Sequence, residues 1–279
     1  MSGILYVTGT PIGNLEDITL RQLRILQEVD FIIAEDTRVT RKLLTHFEIK
    51  NELVSYHKHS DNHTINYILD RIQNGENCAI VTDAGMPCIS DPGEEIVKLC
   101  YERNISVQSV PGASAVITAL SISGGSTKQF VFYGFLPVDK KQRSAMLEEL
   151  KTESRTCVLY EAPHKLVKTV ADLYKILGAE RKLSLCRELT KIHEEVIRFS
   201  LQEAVNYYEN HAPRGEYVLV LDGAEKSDNH KLNLEDAVSI AKAYLAQGMS
   251  ATTAAKLSAK ETGIQKNLIY QALHHTGNS

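Results

Sequence analysis

The chain has 279 residues, of which 43% are hydrophobic and 24% charged, and a formal net charge of −4. That length and apolar content bury a sizeable core over two or three domains and exclude a disordered or fibrous chain. The slight negative charge excludes a polyanion binder that uses its whole surface, although local basic patches remain compatible with RNA.

Short β-rich runs alternate with amphipathic helices along the chain. Residues 4–9 (ILYVTG) read as a strand, and 19–30 as a helix with Leu20, Leu23, Leu26 and Val29 on one stripe. Strands follow at 31–36, 78–83 and 105–110, with helices at 63–75, 93–104 and 114–123. This alternation predicts βαβ units and a mostly parallel sheet, its strands lacking polar alternation because both faces are covered. After Gly124-Gly125 the pattern restarts, with strands at 129–137, 156–163, 182–189, 194–200 and 215–223 and helices near 140–151, 165–177 and 201–210. The short polar link before 194–200 predicts some antiparallel pairing. The expected fold class is α/β: a mostly parallel sheet in residues 1–112, then a mixed sheet in 113–223. A polar linker at 224–234 leads to a small helical extension at 235–279, with helices at 235–247, 250–261 and 265–275.

No apolar run approaches the roughly 18 residues of a membrane span. The first residues, MSGILYVTGTP, enter a strand with neither a basic leader nor a cleavage site. Cys78, Cys88, Cys100, Cys157 and Cys186 are odd in number and form no C-x-x-C. They favour buried thiols in a reducing cytoplasm over disulfides or zinc. His57, His59 and His63 lack the cysteine neighbours or helical spacing of a metal site, so no metal is expected.

In an open parallel sheet, ligands collect beyond the carboxyl ends of the strands. Those ends carry TGTPIGN (8–14), AEDTR (34–38), DAGMPCISDPG (83–93) and PGASA (111–115). Three of the four combine glycine with proline, which suits binding by shape and main-chain groups. The usual nucleotide signatures are absent: no Walker A lysine, no G-x-G-x-x-G opening a helix and no G-x-S-x-G elbow. Basic clusters lie at 38–42, with Arg38, Arg41 and Lys42, and at 140–143, with Lys140, Lys141 and Arg143. The tail has helix-turn-helix spacing, Ala259, Gly263 and Ile269, and carries Lys256, Lys260 and Lys266. These nine cations are the candidate RNA contacts.

Seven blocks in order, TPIGNLEDIT, AEDTR, TDAGMPCISDPG, PGASA, FLP, EAPHK and CRELTKIHEE, resemble the tetrapyrrole methylase superfamily. The resemblance runs over residues 4–223. Met86, Ala113, Ala162 and Lys165 depart from its usual Thr, Pro, Ser and Arg, and no glycine or acidic position of the pattern is lost. The resemblance implies two α/β domains with S-adenosylmethionine folded up in the cleft between them, and a homodimer. It further implies methyl transfer to the 2′-oxygen of a decoding-region cytidine in 16S ribosomal RNA. Carried over residue by residue, the cofactor positions are Pro11, Asp83, Gly85, Met86, Gly112, Ala113, Ser114, Glu161 and Gly215. Candidates for the proton acceptor are Glu188, Lys191 and Asp36, with Glu35 and His164 in similar blocks. Structural ion pairing explains the acidic ones equally well. Two other readings stay open: a corrinoid or porphyrin-precursor methyltransferase, and a non-enzymatic DNA-binding regulator.

Overall fold

The computed structural model describes residues 2–225 and 233–275. The chain separates into two compact units, Met1–Gly223 and Ala224–Ser279.

The first unit opens with a sheet of five parallel strands: β1 (Ile4–Thr8), β2 (Phe31–Ala34), β3 (Glu52–Ser55), β4 (Cys78–Val81) and β5 (Ser106–Val110). Their spatial order is β3-β2-β4-β1-β5. The connecting helices are α1 (Leu20–Glu28), α2 (Thr37–His46), α3 (Asn62–Gln73) and α4 (Glu94–Glu102). Strand residues divide between the two faces with period two. Phe31, Ile33, Cys78 and Ile80 pack against α3 and α4, while Ile32, Ala34, Ala79 and Val81 pack against α1 and α2. Thr19 and Gln22 form a capping box that starts α1.

Helix α2 and strand β3 are not among the elements expected from the sequence. Helix α2 (TRVTRKLLTH) is rich in β-branched and cationic residues, and β3 is a half-exposed edge strand of 4 residues. The buried positions of α2 are Thr40 and Leu44, so half of its inward face is polar, and four half-exposed residues of β3 are too few to show alternation.

A second sheet contains β6 (Phe130–Phe135), β7 (Thr156–Glu161), β8 (Lys182–Arg187), β9 (Glu195–Ser200) and β10 (Tyr217–Leu221), in the order β6-β7-β10-β8-β9. Only β6 and β7 run parallel; the other pairs are antiparallel, as the short link before β9 suggested. Helices α6 (Lys140–Thr152), α7 (Pro163–Leu177) and α8 (Leu201–Asn210) cover one face through Leu150, Leu166, Leu173 and Leu201. The opposite face is covered only in part, by α5 (Ala115–Ile122). Because α5 already packs on the second sheet, we propose residues 1–112 and 113–223 as the two domains of this unit.

In the second unit, α9 (Leu234–Ala246), α10 (Ala251–Thr262) and α11 (Lys266–His275) bury Ala237, Ala241, Ala254, Ala255 and Ile269 together. Gly263 closes α10 in the left-handed conformation. Most of the expected linker, residues 226–232, lies outside the described residues. The expected α/β class, a parallel then a mixed sheet with helices after it, is the fold observed. No helix among the described residues is long and apolar enough to cross a membrane.

Candidate active site

Strand β1 is followed by a helix on one face of the first sheet and β4 by a helix on the other, so a crevice opens between their carboxyl ends. The two loops are stitched together there. Thr10 N–H donates to the Gly85 carbonyl at 2.9 Å, Gly85 N–H donates to the Thr10 carbonyl at 3.1 Å, and the Thr10 hydroxyl donates to the Thr82 carbonyl at 3.0 Å. Gly85 holds φ at +90°, a conformation that side chains disfavour. Of the six non-glycine residues with positive φ among the described residues, Cys88 and Ser90 lie in the loop after β4, and Glu188 and Thr190 in the loop after β8. Such strain clusters where surrounding structure holds a site rigid.

The uncovered part of the second sheet faces these loops. Between them is a cavity of about 440 Å³, within the range of small-molecule sites. From the first sheet's loops come Ile12, Asp83, Gly85, Met86 and Asp91; from the second lobe come Ser114, Tyr160, Glu161, Glu216 and Val218. Tyr160 stands edge-on to Phe132 and Phe135, at centroid distances of 5.0 and 5.5 Å, which fixes the apolar wall.

The wall, which falls wholly within the described residues, carries four carboxyl side chains and no Lys, Arg or His. A low-dielectric pocket lined by one sign of charge focuses its field on the ligand. These hydrogen-bond acceptors repel a pyrophosphate and fit a cationic ligand with hydroxyl groups and an apolar ring.

Burial and mutual repulsion raise two of the wall acids, Asp91 and Asp83, and the neighbouring Glu35. Asp91 is pushed up to about 6, chiefly by burial and then by the charge of Glu35. Asp83 is raised by burial and by Asp36, and Glu35 by burial and by Asp83. Asp36 is held down at about 2 by hydrogen bonds from Arg38.

Of the residues expected at a cofactor site, Asp83, Gly85, Met86, Ser114 and Glu161 line the cavity. The others stand beside or behind it. Pro11 lines an adjoining groove of about 230 Å³ together with Asp83 and Lys42. Gly112 lies behind the wall: a Cβ there would meet the Gln22 amide at 2.2 Å and the Gly9 Cα at 3.0 Å, so glycine is required by close packing. The Ala113 carbonyl oxygen lies 3.8 Å from where a Gly85 Cβ would be, and Gly215 packs against the Glu188 side chain.

Among the expected proton acceptors, Lys191 Nζ donates to Glu188 Oε1 and Glu216 Oε2, both at 2.9 Å. Glu188 is held below the carboxylate range, first by the Glu216 N–H and then by Lys191. Burial opposes the Lys191 charge, but the two carboxylates outweigh it and raise its pKa. Asp36 caps α2 and pairs with Arg38 at 2.6 Å. These three lie outside the cavity wall, as do Glu35 and the exposed His164. Asp91 and Glu216, which sequence reading did not single out, are in it.

The expected RNA contacts divide. Arg38, Arg41, Lys42, Lys140, Lys141, Lys256, Lys260 and Lys266 are exposed. Arg143 is turned inward, its side chain 13% exposed and bound to Asp172 and Thr169.

The fold is an α/β unit of two sheets, with a cavity between a switch-point crevice and the second, mixed sheet. The model of the tetrapyrrole (corrin/porphyrin) methylases matches residues 4–205, and the chain belongs to that family. It is similar to the protein named ribosomal RNA small subunit methyltransferase I of Synechocystis sp., 45% identical over 269 residues, covering 96% of each chain. The protein of the same name in Thermotoga maritima is 45% identical over 223 residues, covering 80% of this chain and all of the relative. Among solved structures, uroporphyrin-III C-methyltransferase from Thermus thermophilus, complexed with S-adenyl homocysteine, superposes with a TM-score of 0.56 at 16% identity. That superposition covers 78% of this chain and 97% of the other.

Proposed function

We propose that this chain is an S-adenosylmethionine-dependent methyltransferase of small-subunit ribosomal RNA. In finer detail, we infer that it methylates the 2′-oxygen of the decoding-site cytidine, the family target being cytidine 1402 of 16S RNA. The observation that carries the cofactor reading is the carboxylate-lined, cation-free cavity between the lobes. Support for the RNA reading comes from the nearly full-length similarity to proteins named for that substrate.

When bound, S-adenosylmethionine supplies a methyl group on a positively charged sulfur, open to in-line displacement. The chain's own residues have three tasks. The main chain of 83–86, rigid through its bridge to Thr10, and the Glu161 carboxylate offer acceptors for hydroxyl and ammonium groups. Tyr160, Val218 and Ile12 line the cavity with apolar surface that excludes water. Holding the reactants in line is worth about 7–11 kcal/mol in favourable intramolecular models. Asp91, titrating near 6, has the wall carboxyl best matched to accepting a proton near neutrality. Glu188, Lys191 and Asp36 are instead engaged in ion pairs. Lys42 beside the cavity and Lys140 and Lys141, five and six residues after the wall residue Phe135, supply cations for the RNA backbone.

The test is labelled-methyl transfer to small ribosomal subunits from cells lacking the protein, followed by nuclease mapping. Label on a ribose 2′-oxygen of 16S RNA supports the reading. Label on a base, or on a tetrapyrrole in a parallel assay, overturns it.

A further inference from the structure

Glu161 lines the cavity yet is only 4% exposed. Its Oε1 accepts from the Ala162 N–H at 2.9 Å, and its Oε2 accepts from the Thr169 hydroxyl at 2.5 Å. That hydroxyl in turn accepts from Arg143 Nη2 at 2.9 Å, while Arg143 Nε donates to Asp172 at 2.9 Å. The polarity of this chain is forced. A guanidinium has only donors and a carboxylate only acceptors, so Thr169, between them, gives its single proton to Glu161.

The geometry tells against mere packing. Thr169 is 1% exposed, in the apolar interface of α7, where Val170 and Leu173 already join the helix to the sheet. Burying a hydroxyl and a guanidinium there stabilises little compared with apolar residues of the same size. The chain of hydrogen bonds ends on a carboxylate in the cavity wall, with both of its oxygens held from behind. A side chain so fixed keeps its remaining lone pairs directed without losing rotamer entropy when a ligand arrives.

We infer that Arg143 and Thr169 are positioning residues: they set the Glu161 carboxylate as acceptor for a hydroxyl or ammonium group of the cavity ligand. This assigns Arg143, read from sequence as an RNA contact, to the opposite side of the chemistry. The inference rests on the reading of the cavity as the S-adenosylmethionine site.

Calorimetric titration of S-adenosylmethionine into the full-length protein and its Glu161→Gln, Thr169→Val, Thr169→Ser, Arg143→Gln and E161Q/T169V variants tests it. Glu161→Gln and Thr169→Val are each expected to raise Kd about tenfold, the loss of one hydrogen bond to a charged group. Thr169→Ser keeps the hydroxyl and stays close to wild type. The double variant is no weaker than Glu161→Gln alone, because the threonine acts only through that carboxylate. Arg143→Gln weakens the cofactor while leaving 16S RNA affinity and its salt dependence unchanged; it carries the test if Thr169→Val does not fold. Wild-type Kd in Thr169→Val and Arg143→Gln alongside a weakened Glu161→Gln overturns the positioning role and leaves the cavity assignment standing. Additive losses in the double variant, or an RNA defect in Arg143→Gln, also overturn that role. Wild-type Kd in a folded Glu161→Gln overturns the cavity assignment itself.

Discussion

The two walls of the cavity are built by different means. On the first-lobe side, main-chain hydrogen bonds between Thr10 and Gly85, together with the turns around Cys88 and Ser90, fix the surface. On the second-lobe side, side chains do so: the Tyr160–Phe132–Phe135 aromatic group, the Glu161–Thr169–Arg143 chain and the Lys191 pair of ion contacts. A backbone wall tolerates changes of side chain but not of chain conformation. A side-chain wall fails one hydrogen bond at a time.

Gly85→Val gives the largest expected effect. A β-branched residue at φ +90° is strained, and its Cβ would lie 3.5 Å from the wall residue Ile12, so cofactor Kd measured by calorimetry should rise more than about 100-fold in a folded variant. Unchanged affinity breaks the contrast between the walls.

Asp91→Asn comes next. Loss of a proton acceptor lowers kcat by about 100-fold and removes the acidic limb near pH 6 from the rate profile. The same variant gains stability. Because the folded-state pKa is raised above the unfolded value, the folded protein keeps a proton that the unfolded chain has released. Stability therefore falls as pH rises from about 4 to about 6, and the penalty is complete above that window. Thermal scans of Asp91→Asn should show Tm up by about 2–4 °C at pH 7.5 and unchanged at pH 4. Equal shifts at both pH values would remove the electrostatic explanation.

Lys140→Gln/Lys141→Gln sharpens the comparison from outside the cavity. RNA affinity should drop several-fold, and the slope of log affinity against log salt should shrink by about 1–2, with cofactor Kd unchanged. The smallest effect belongs to the exposed Arg24–Glu28 pair on α1, at 2.9 Å; Arg24→Ala should alter stability by no more than about 0.5 kcal/mol.

The same contrast explains what the sequence made legible. The first-lobe wall depends on glycine, proline and a fixed order of blocks, so the family resemblance pointed to Asp83, Gly85 and Met86, which line the cavity. Helices such as α7 and α8 were visible in their apolar period. Gly112 was singled out too, but its lack of a side chain serves packing on Gln22. Asp91 and Glu216 were missed because their role depends on which neighbours crowd them, and Glu35 and Lys191 are remote in sequence. Arg143 sits in a cationic run, KKQR; nothing in that run reveals that its guanidinium turns back to Thr169, 26 residues later. Helix α2 escaped because a threonine shares its buried face with Leu44, and β3 because it is only four half-exposed residues long.

A crystal structure with S-adenosylmethionine tests the account most directly. The expected density lies in the cavity between the Asp83–Gly85 main chain and Glu161, with the sulfonium facing carboxylates. Density for the donor elsewhere on the molecule, with that cavity filled only by solvent, would contradict it.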